Sequence, residues 1–174
     1  MVTDPENCAF VKNTAEGMGM IANGYPFMPG DEMISYIHEY PSNHYPWRLQ
    51  EGRGVSLRLL PNRDMSDGAS GSMPCGWSMD DLKALLTPNT RLVAISHVQF
   101  SSGFAADLKQ LGKVCREYNI DLVVDAAQSL GCLPIVPEEW NISAVVASGW
   151  KWLLGPVGTG VMFTSPAFRE KLGH

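Results

Sequence analysis

Two short motifs in the second half of the chain combine residue types that could do covalent amine chemistry. Val-Val-Asp-Ala-Ala-Gln (123–128) carries an acid, and Ser-Gly-Trp-Lys (148–151) carries a lysine. A lysine amine forms imines with carbonyl compounds, most readily where burial or nearby positive charge lowers its pKa. A carboxylate at Asp125 could keep a pyridine nitrogen protonated, so that the ring withdraws electrons. Asp125 and Lys151 together therefore favour pyridoxal 5'-phosphate (PLP) as the cofactor.

Strand-like and helix-like segments alternate along the chain and must position these motifs. Short apolar runs predict strands at 8–11, 32–37, 54–60, 91–97, 120–124, 142–147 and 158–163. Helical spacing and capping residues predict helices at 14–23, 45–51, 78–86 and 107–118. The glycine-rich stretch 62–76 is predicted as a surface loop.

This alternation predicts an α/β fold with a mainly parallel sheet and helices on both faces. In such sheets ligands bind at the carboxyl ends of the strands. Three predicted strands end in His97, Asp125 and Ser148, which points to a site at that edge. Each residue on its own could equally well only end a strand or cap a turn.

The pairing of Asp-x-Ala-Gln (125–128) with Ser-Gly-x-Lys (148–151) resembles the class V aminotransferase-like, fold type I family of PLP-dependent enzymes. That family includes cysteine desulfurases, selenocysteine lyases, kynureninases, isopenicillin-N epimerase-like proteins and several transaminases. The resemblance extends over about residues 13–163. It implies an amino-acid substrate and the large-domain fold of PLP-dependent transferases.

The resemblance also implies roles for the motif residues. Lys151 would form the Schiff base with the cofactor and later move the substrate α-proton. Asp125 would pair with the pyridinium nitrogen, and Gln128 would hydrogen-bond the phenolic oxygen. Ala127 would lie against one face of the ring.

Two segments are expected at the cofactor phosphate. By resemblance, Ser148 would donate its hydroxyl, and Trp150 stands where the family often has a phosphate-binding His or Tyr. Asn-Thr-Ala-Glu-Gly (13–17) resembles the family's phosphate-binding turn, in which a helix N-terminus meets an anion. Thr14 and Ala15 are therefore cofactor-binding candidates, although Ala15 replaces a usual hydroxyl residue. Read alone, Asn-Thr is also a simple helix cap.

The segment 39–47 resembles the part of the family that lays an aromatic ring on the cofactor. We align the catalytic histidine of desulfurases with Pro41 and assign ring stacking to Tyr40. Kynureninase-like members have an aromatic residue followed by proline, so desulfurase chemistry is not expected. His44 could supply the histidine only in a shifted register.

Two further segments resemble family features. The stretch 96–103 resembles a His-Val strand end, so His97 is expected on the floor of the site or in its hydrogen bonding. The family often has Asn at the position of Phe100. The turn 155–160 resembles one that reaches the phosphate of a neighbouring subunit, which predicts a homodimer.

Composition narrows the class of protein. Of the 174 residues, 45% are hydrophobic and 18% charged, and the net charge is −5 without a basic cluster. A nucleic acid or an anionic membrane is therefore not the expected partner. The start shows no secretory signal pattern, and no apolar run could span a bilayer. Four scattered cysteines without metal-ligand spacing predict reduced thiols, no metal site and a cytoplasmic location.

The extent of the resemblance adds an expectation about domains. We interpret residues 1–174 as an incomplete PLP-binding large-domain core. Family members also have a small C-terminal domain, which usually supplies the arginine for the substrate carboxylate. No such arginine is assigned among Arg48, Arg53, Arg58 and Arg63.

Three hypotheses remain open at this point. The first is a PLP-dependent enzyme core, with transamination as the default reaction and kynureninase-like or epimerase chemistry as alternatives. The second is a catalytically incompetent fragment or subunit. The third, a nucleotide-binding domain, is disfavoured because no glycine-rich phosphate motif follows a predicted strand.

Overall fold

The structure is a computed structural model that describes residues 1, 3–64 and 75–173. Among these residues, seven strands form one sheet in the order β1-β7-β6-β5-β4-β2-β3. The strands are β1 (Cys8–Val11), β2 (Glu32–Tyr36), β3 (Ser56–Leu60), β4 (Thr90–Ser96), β5 (Asp121–Asp125), β6 (Ala144–Ser148) and β7 (Gly160–Thr164).

The sheet is mainly parallel, as the sequence predicted. β3, β2, β4, β5 and β6 run parallel to one another. β7 is antiparallel to both β6 and β1. The carboxyl ends of β2, β4, β5 and β6 therefore meet at one edge of the sheet.

Helices cover both faces of the sheet. They are α1 (Thr14–Gly24), α2 (Tyr45–Arg48), α3 (Met79–Leu85), α4 (Leu108–Glu117) and α5 (Pro166–Lys171). The central strand β4 shows why two layers form, because alternate side chains point to opposite faces. Leu92 packs in the cluster that contains residues of α1 and α5. Val93 packs in the cluster that contains residues of α3 and α4.

Most predicted elements are confirmed, with shifted ends. The helix expected at 45–51 is the short α2 followed by a 3-10 helix, Leu49–Arg53. That 3-10 helix ends at Gly54, whose φ of 82° is easily adopted by glycine. Helix α5 was not predicted, although Ser165 caps it and Pro166 begins it. Of the predicted loop 62–76, residues 65–74 lie outside the described residues.

A close approach between α1 and β6 sets the position of the N-terminus of α1. A Cβ atom at Gly17 would lie 2.5 Å from Cγ1 of Val146, so only glycine lets the helix sit this near the strand. The side chain of Asn13 caps the helix by accepting from Glu16 N at 2.9 Å. Helix α1 therefore begins directly beside the carboxyl end of β6.

Two kinds of feature are absent from the described residues. Within that part of the chain, no helix has the length and apolar character needed to cross a bilayer. No group of three or more His, Cys, Asp and Glu side chains there is arranged to hold a metal ion.

Candidate active site

A cavity of about 160 Å³ opens at the carboxyl edge of the sheet. It brings together eight of the ten residues that the sequence proposed for the site: Thr14, Tyr40, Asp125, Ala127, Gln128, Ser148, Trp150 and Lys151. The other lining residues are Asn13, Ser42, Ser96, Val98 and Phe100. Residues from widely separated parts of the chain thus share one cleft, as expected for a ligand site of this fold.

Asp125 ends β5 at the inner wall of the cavity and is buried. Its Oδ1 accepts a hydrogen bond from Ala127 N at 2.9 Å. Burial raises the pKa of Asp125 to about 7, and the negative charge of Glu39 acts in the same direction. In the described part of the chain, no cation lies within ion-pair distance of this carboxylate. The Asp125 carboxylate is therefore suited to a cationic ring nitrogen.

Lys151 extends from the hairpin loop between β6 and β7. The loop is closed at its base, where Gly149 N donates to Thr159 O at 2.7 Å. A Cβ atom at Gly149 would lie 2.6 Å from Thr159 Oγ1, so the closure requires glycine there. The Lys151 Nζ atom lies 5.8 Å from the ring centroid of Tyr40 and 5.4 Å from that of Trp150. Aromatic faces at these distances attract an ammonium group.

One end of the cavity is suited to an anion. The Thr14 and Ser148 hydroxyl oxygens lie 2.8 Å apart and are buried. The first hydrogen bond within α1 runs from Gly17 N to Asn13 O at 3.3 Å, and Glu16 N is taken by the cap. The N–H groups of Thr14 and Ala15 are thus left for a ligand at the positive end of the helix.

Two predicted site residues do not line the cavity. Ala15 lines a neighbouring apolar groove, so only its backbone N–H can face an anion. His97 is buried, and its Nδ1 has no hydrogen-bond partner among the residues that the structure describes. Burial lowers the pKa of His97 to about 4. The backbone of His97 joins neighbouring segments, because its N donates to Asp125 O at 2.9 Å and its O accepts from Ala106 N at 2.8 Å. The His97 ring is therefore not among the groups that line the cavity, and the role of His97 in the floor of the site or in its hydrogen bonding stays a prediction.

The structure places Tyr40, and not Pro41, in the cavity. The Tyr40 ring is 45% exposed and packs edge-on against Phe100, with ring centroids 5.0 Å apart. Pro41 lines the neighbouring groove instead. His44 packs edge-on against Tyr45 and is not among the cavity-lining residues.

Sequence reasoning missed Glu39 and Ser96. Ser96 lines the cavity at the end of β4, in register with Asp125 on β5. Glu39 is buried behind it, and its Oε1 accepts from Ser96 N at 2.9 Å. A polar residue shortly after a strand gives no sign of burial, but the strand end at Ser96 could have revealed one member of the pair.

These features define a class of protein: an α/β domain whose cavity presents a lysine, a buried carboxylate and a hydroxyl-lined helix N-terminus. The aminotransferase class-V family model matches residues 1–174. The chain belongs to this family, which confirms the resemblance and supports PLP as its cofactor.

Relatives and solved structures agree with this assignment. A probable cysteine desulfurase of Pyrococcus abyssi is 30% identical over 166 residues, which cover 94% of this chain and 39% of the relative. The apo structure of a cysteine desulfurase from Thermococcus onnurineus NA1 has a TM-score of 0.86 at 27% identity, covering 98% of this chain and 41% of that one. A cystine C–S lyase, solved with its product cysteine persulfide, has a TM-score of 0.86 at 26% identity, with coverages of 98% and 44%.

These comparisons concern two points: how much of the relatives' length the chain covers, and which reaction the relatives are named for. The chain spans about two fifths of the length of these relatives, 39% of the first and 41% of the second. The first two relatives are named as cysteine desulfurases, which disagrees with the expectation from the sequence that desulfurase chemistry is unlikely.

Proposed function

We propose that this chain binds PLP in the cavity at the carboxyl edge of the sheet, and that Lys151 is the residue that attaches it. The enzyme would act on the amino group of an amino-acid substrate. One observation carries this proposal: Lys151, Asp125 and the Thr14–Ser148 pair line the same cavity although they come from different elements.

Each wall of the cavity has a chemical match in the cofactor. PLP supplies an electron-withdrawing ring that accepts electrons from the substrate α-carbon. The buried Asp125 carboxylate would hold a proton on the ring nitrogen, since a positive charge there offsets the cost of burying the acid. Gln128 lines the same cavity and can donate to an oxygen on the ring.

The opposite end of the cavity would hold the phosphate. Thr14 and Ser148 offer two hydroxyl groups, and the first turn of α1 offers backbone N–H groups. The indole N–H of Trp150 is a further donor beside them. Tyr40 would lie over the ring and exclude water from one face.

Lys151 would have two functions. Its amine would attach the cofactor by condensation with the aldehyde, which releases one water molecule. Once the substrate amine displaces it, the free Lys151 amine would take the substrate α-proton and return it at a second position. The Lys151 Nζ atom lies between the nearby rings of Tyr40 and Trp150, which would hold the amine inside the cavity.

We infer transamination as the first candidate reaction, because it needs only the lysine and the cofactor. The second candidate is C–S cleavage of cysteine or a related substrate, which the relatives named as cysteine desulfurases and a cystine C–S lyase support. With a PLP-loaded sample, transamination would convert the cofactor to its amine form and release an oxo acid. With L-cysteine and a thiol reductant, C–S cleavage would release sulfide without consuming the cofactor.

The test of the cofactor site uses PLP and borohydride. Wild type should develop a visible absorption band, and reduction should fix the pyridoxyl group on Lys151, which peptide mass spectrometry would locate. Lys151→Ala should show neither result. Lys113→Ala is the matched control, because Lys113 is an exposed lysine on α4.

The outcomes separate clearly. Label at Lys151 in wild type and in Lys113→Ala supports the proposal. Label spread over exposed lysines, or equal label in Lys151→Ala, would overturn it and favour a chain without a specific cofactor site.

A further inference from the structure

Glu39 makes an unusual set of contacts for a buried acid. It is 7% exposed and follows β2, just before Tyr40. Four donors point at its carboxylate. Oε1 accepts from Ser96 N at 2.9 Å and from Gln99 Nε2 at 2.7 Å. Oε2 accepts from Ser96 Oγ and from Asn43 Nδ2 at 3.1 Å.

The contacts continue away from the cavity to the helix α2. Asn43 Oδ1 accepts from the indole N–H of Trp47 at 2.9 Å, and the Trp47 side chain is fully buried. Asn43 N also donates to Tyr40 O at 2.8 Å. Tyr40 is therefore held on one side by Glu39 and on the other by Asn43.

Electrostatic interactions link Glu39 and its hydrogen-bond network to groups that line the cavity. Burial raises the pKa of Glu39, against the opposing effect of its hydrogen bonds to Ser96, Gln99 and Asn43. Burial is the main reason that the pKa values of Asp125 and Tyr36 are raised, and the negative charge of Glu39 acts in the same direction. The positive charge of Lys151 has the opposite effect and lowers the pKa of Asp125. His97, next to Ser96, has a pKa lowered to about 4 by burial.

We propose that Glu39 is a positioning residue of the site: its carboxylate joins the Tyr40 segment to the end of β4 and so fixes the Tyr40 ring beside Lys151. This inference rests on the proposed PLP site for its consequence in binding. Its structural part concerns contacts within the chain and can be tested without cofactor.

Glu39→Gln is the informative substitution because an amide cannot satisfy four donors. The carbonyl oxygen of the introduced amide can replace Oε1, but the NH₂ group of that amide then faces the NH₂ group of Asn43. Turning the Asn43 amide would relieve that clash and would set its NH₂ group against the Trp47 indole N–H. The reverse orientation of the introduced amide would set its NH₂ group against the backbone N–H of Ser96, which cannot turn away. In the orientation that keeps the Ser96 N–H bond, the single variant therefore breaks a bond on the path from position 39 to Trp47.

Asn43→Asp offers a rescue in the same network. In the double variant Glu39→Gln/Asn43→Asp, the introduced amide can donate to the introduced carboxylate, which can also accept from Trp47. The donor and acceptor roles are swapped, and every bond along the path can form again. Non-additivity between the two changes is thus the signature of this network.

The first measurement is the rate at which the Trp47 indole N–H exchanges with solvent in the cofactor-free chain. The signal of this N–H group is assigned by its loss in Trp47→Phe. Glu39→Gln should exchange about tenfold faster than wild type, in line with the loss of one charge-assisted hydrogen bond. The double variant should recover wild-type protection. Glu32→Gln is the matched control, since it removes a carboxylate at the opposite end of β2.

The second measurement is PLP binding. Its two readouts are the dissociation constant and the induced circular dichroism of the bound cofactor. Glu39→Gln should raise the dissociation constant about tenfold and reduce the dichroism per bound cofactor. The double variant should restore both, and Glu32→Gln should leave both unchanged. A purely structural role for Glu39 would lower stability without changing the dichroism of the fraction that binds.

The two proposals fail differently. If wild type never labels at Lys151, the cofactor site fails, and Glu39 is judged by the Trp47 exchange alone. If Glu39→Gln behaves like Glu32→Gln in both measurements, the positioning role is overturned. If the single variant does not fold, refolding of the double variant supports the network and its failure contradicts it.

Discussion

The hydroxyl oxygens of Thr14 and Ser148 lie 2.8 Å apart although the residues are 134 positions apart in the chain. The contact joins the first turn of α1 to the end of β6. It forms only because the helix approaches the strand closely at Gly17. The proposed anion-binding end of the cavity is therefore a product of helix–sheet packing.

Removing either hydroxyl should weaken binding of the phosphate and not of the ring. We expect Thr14→Val and Ser148→Ala each to raise the dissociation constant for PLP about tenfold, because each removes one hydrogen bond to a charged group. Binding of pyridoxal, which has no phosphate, should change by less than about twofold. Ser56→Ala removes an exposed hydroxyl at the far edge of the sheet and serves as control. Equal losses for PLP and pyridoxal would contradict the assignment.

Gly17→Ala should separate α1 from β6. The new methyl group would lie 2.5 Å from Val146 Cγ1, so we expect a loss of about 1 to 3 kcal/mol in the free energy of unfolding. Gly19→Ala is a matched change on the same helix, where a Cβ meets nothing within 4 Å. It should gain about 0.5 to 1 kcal/mol from helix propensity. Urea unfolding measures both, and similar values for the two variants would disprove the packing constraint.

Asp125 should make the cofactor-free chain less stable as pH rises. Its pKa is about 7 when folded, against an ordinary value of 3.8. The folded state therefore retains a proton that the unfolded chain has already released, and the stability present below about pH 4 is lost progressively up to about pH 7.

Asp125→Asn removes this titration. Relative to wild type, the variant should gain about 2 to 4 kcal/mol in the free energy of unfolding between about pH 4 and about pH 8. Urea unfolding of both proteins across that range provides the measurement. Parallel pH profiles would show that Asp125 is already ionised in the cofactor-free state.

Tyr40 should contribute through its ring and not through its hydroxyl. Tyr40→Phe should bind PLP within about twofold of wild type, whereas Tyr40→Ala should bind about tenfold more weakly through loss of stacking. Tyr118→Ala, a half-exposed tyrosine after α4, is the control for general loss of an aromatic residue. A large defect in Tyr40→Phe would instead point to a role for the phenolic oxygen.

The sequence predicted much of the fold because the strands are continuous apolar runs and the helices carry recognisable caps. Ser78 caps α3, as its position indicated, and the helix expected from Asp107 is α4, with Asp107 as its N-cap. It also predicted the strand-end residues Asp125 and Ser148, since parallel strands place their carboxyl ends together.

What the sequence could not predict depends on tertiary contacts. Side-chain direction decides that the His97 ring lies outside the cavity while the preceding Ser96 lines it. The burial of Glu39 depends on donors from 43, 96 and 99, and no local pattern encodes their convergence. The antiparallel direction of β7 follows from the hairpin after Ser148, where a parallel crossover would have been equally compatible with apolar strands.

That hairpin has a consequence for how such a site can diversify. Its base is fixed by the pairing of Ser148 with Gly160 and by the bond from Gly149 N to Thr159 O. The tip carries exposed side chains, among them Leu154 and Val157. Mutations at the tip can therefore accumulate while the base of the hairpin stays closed, so that, under the proposed role of Lys151, new substrate preferences can evolve around an unchanged attachment point.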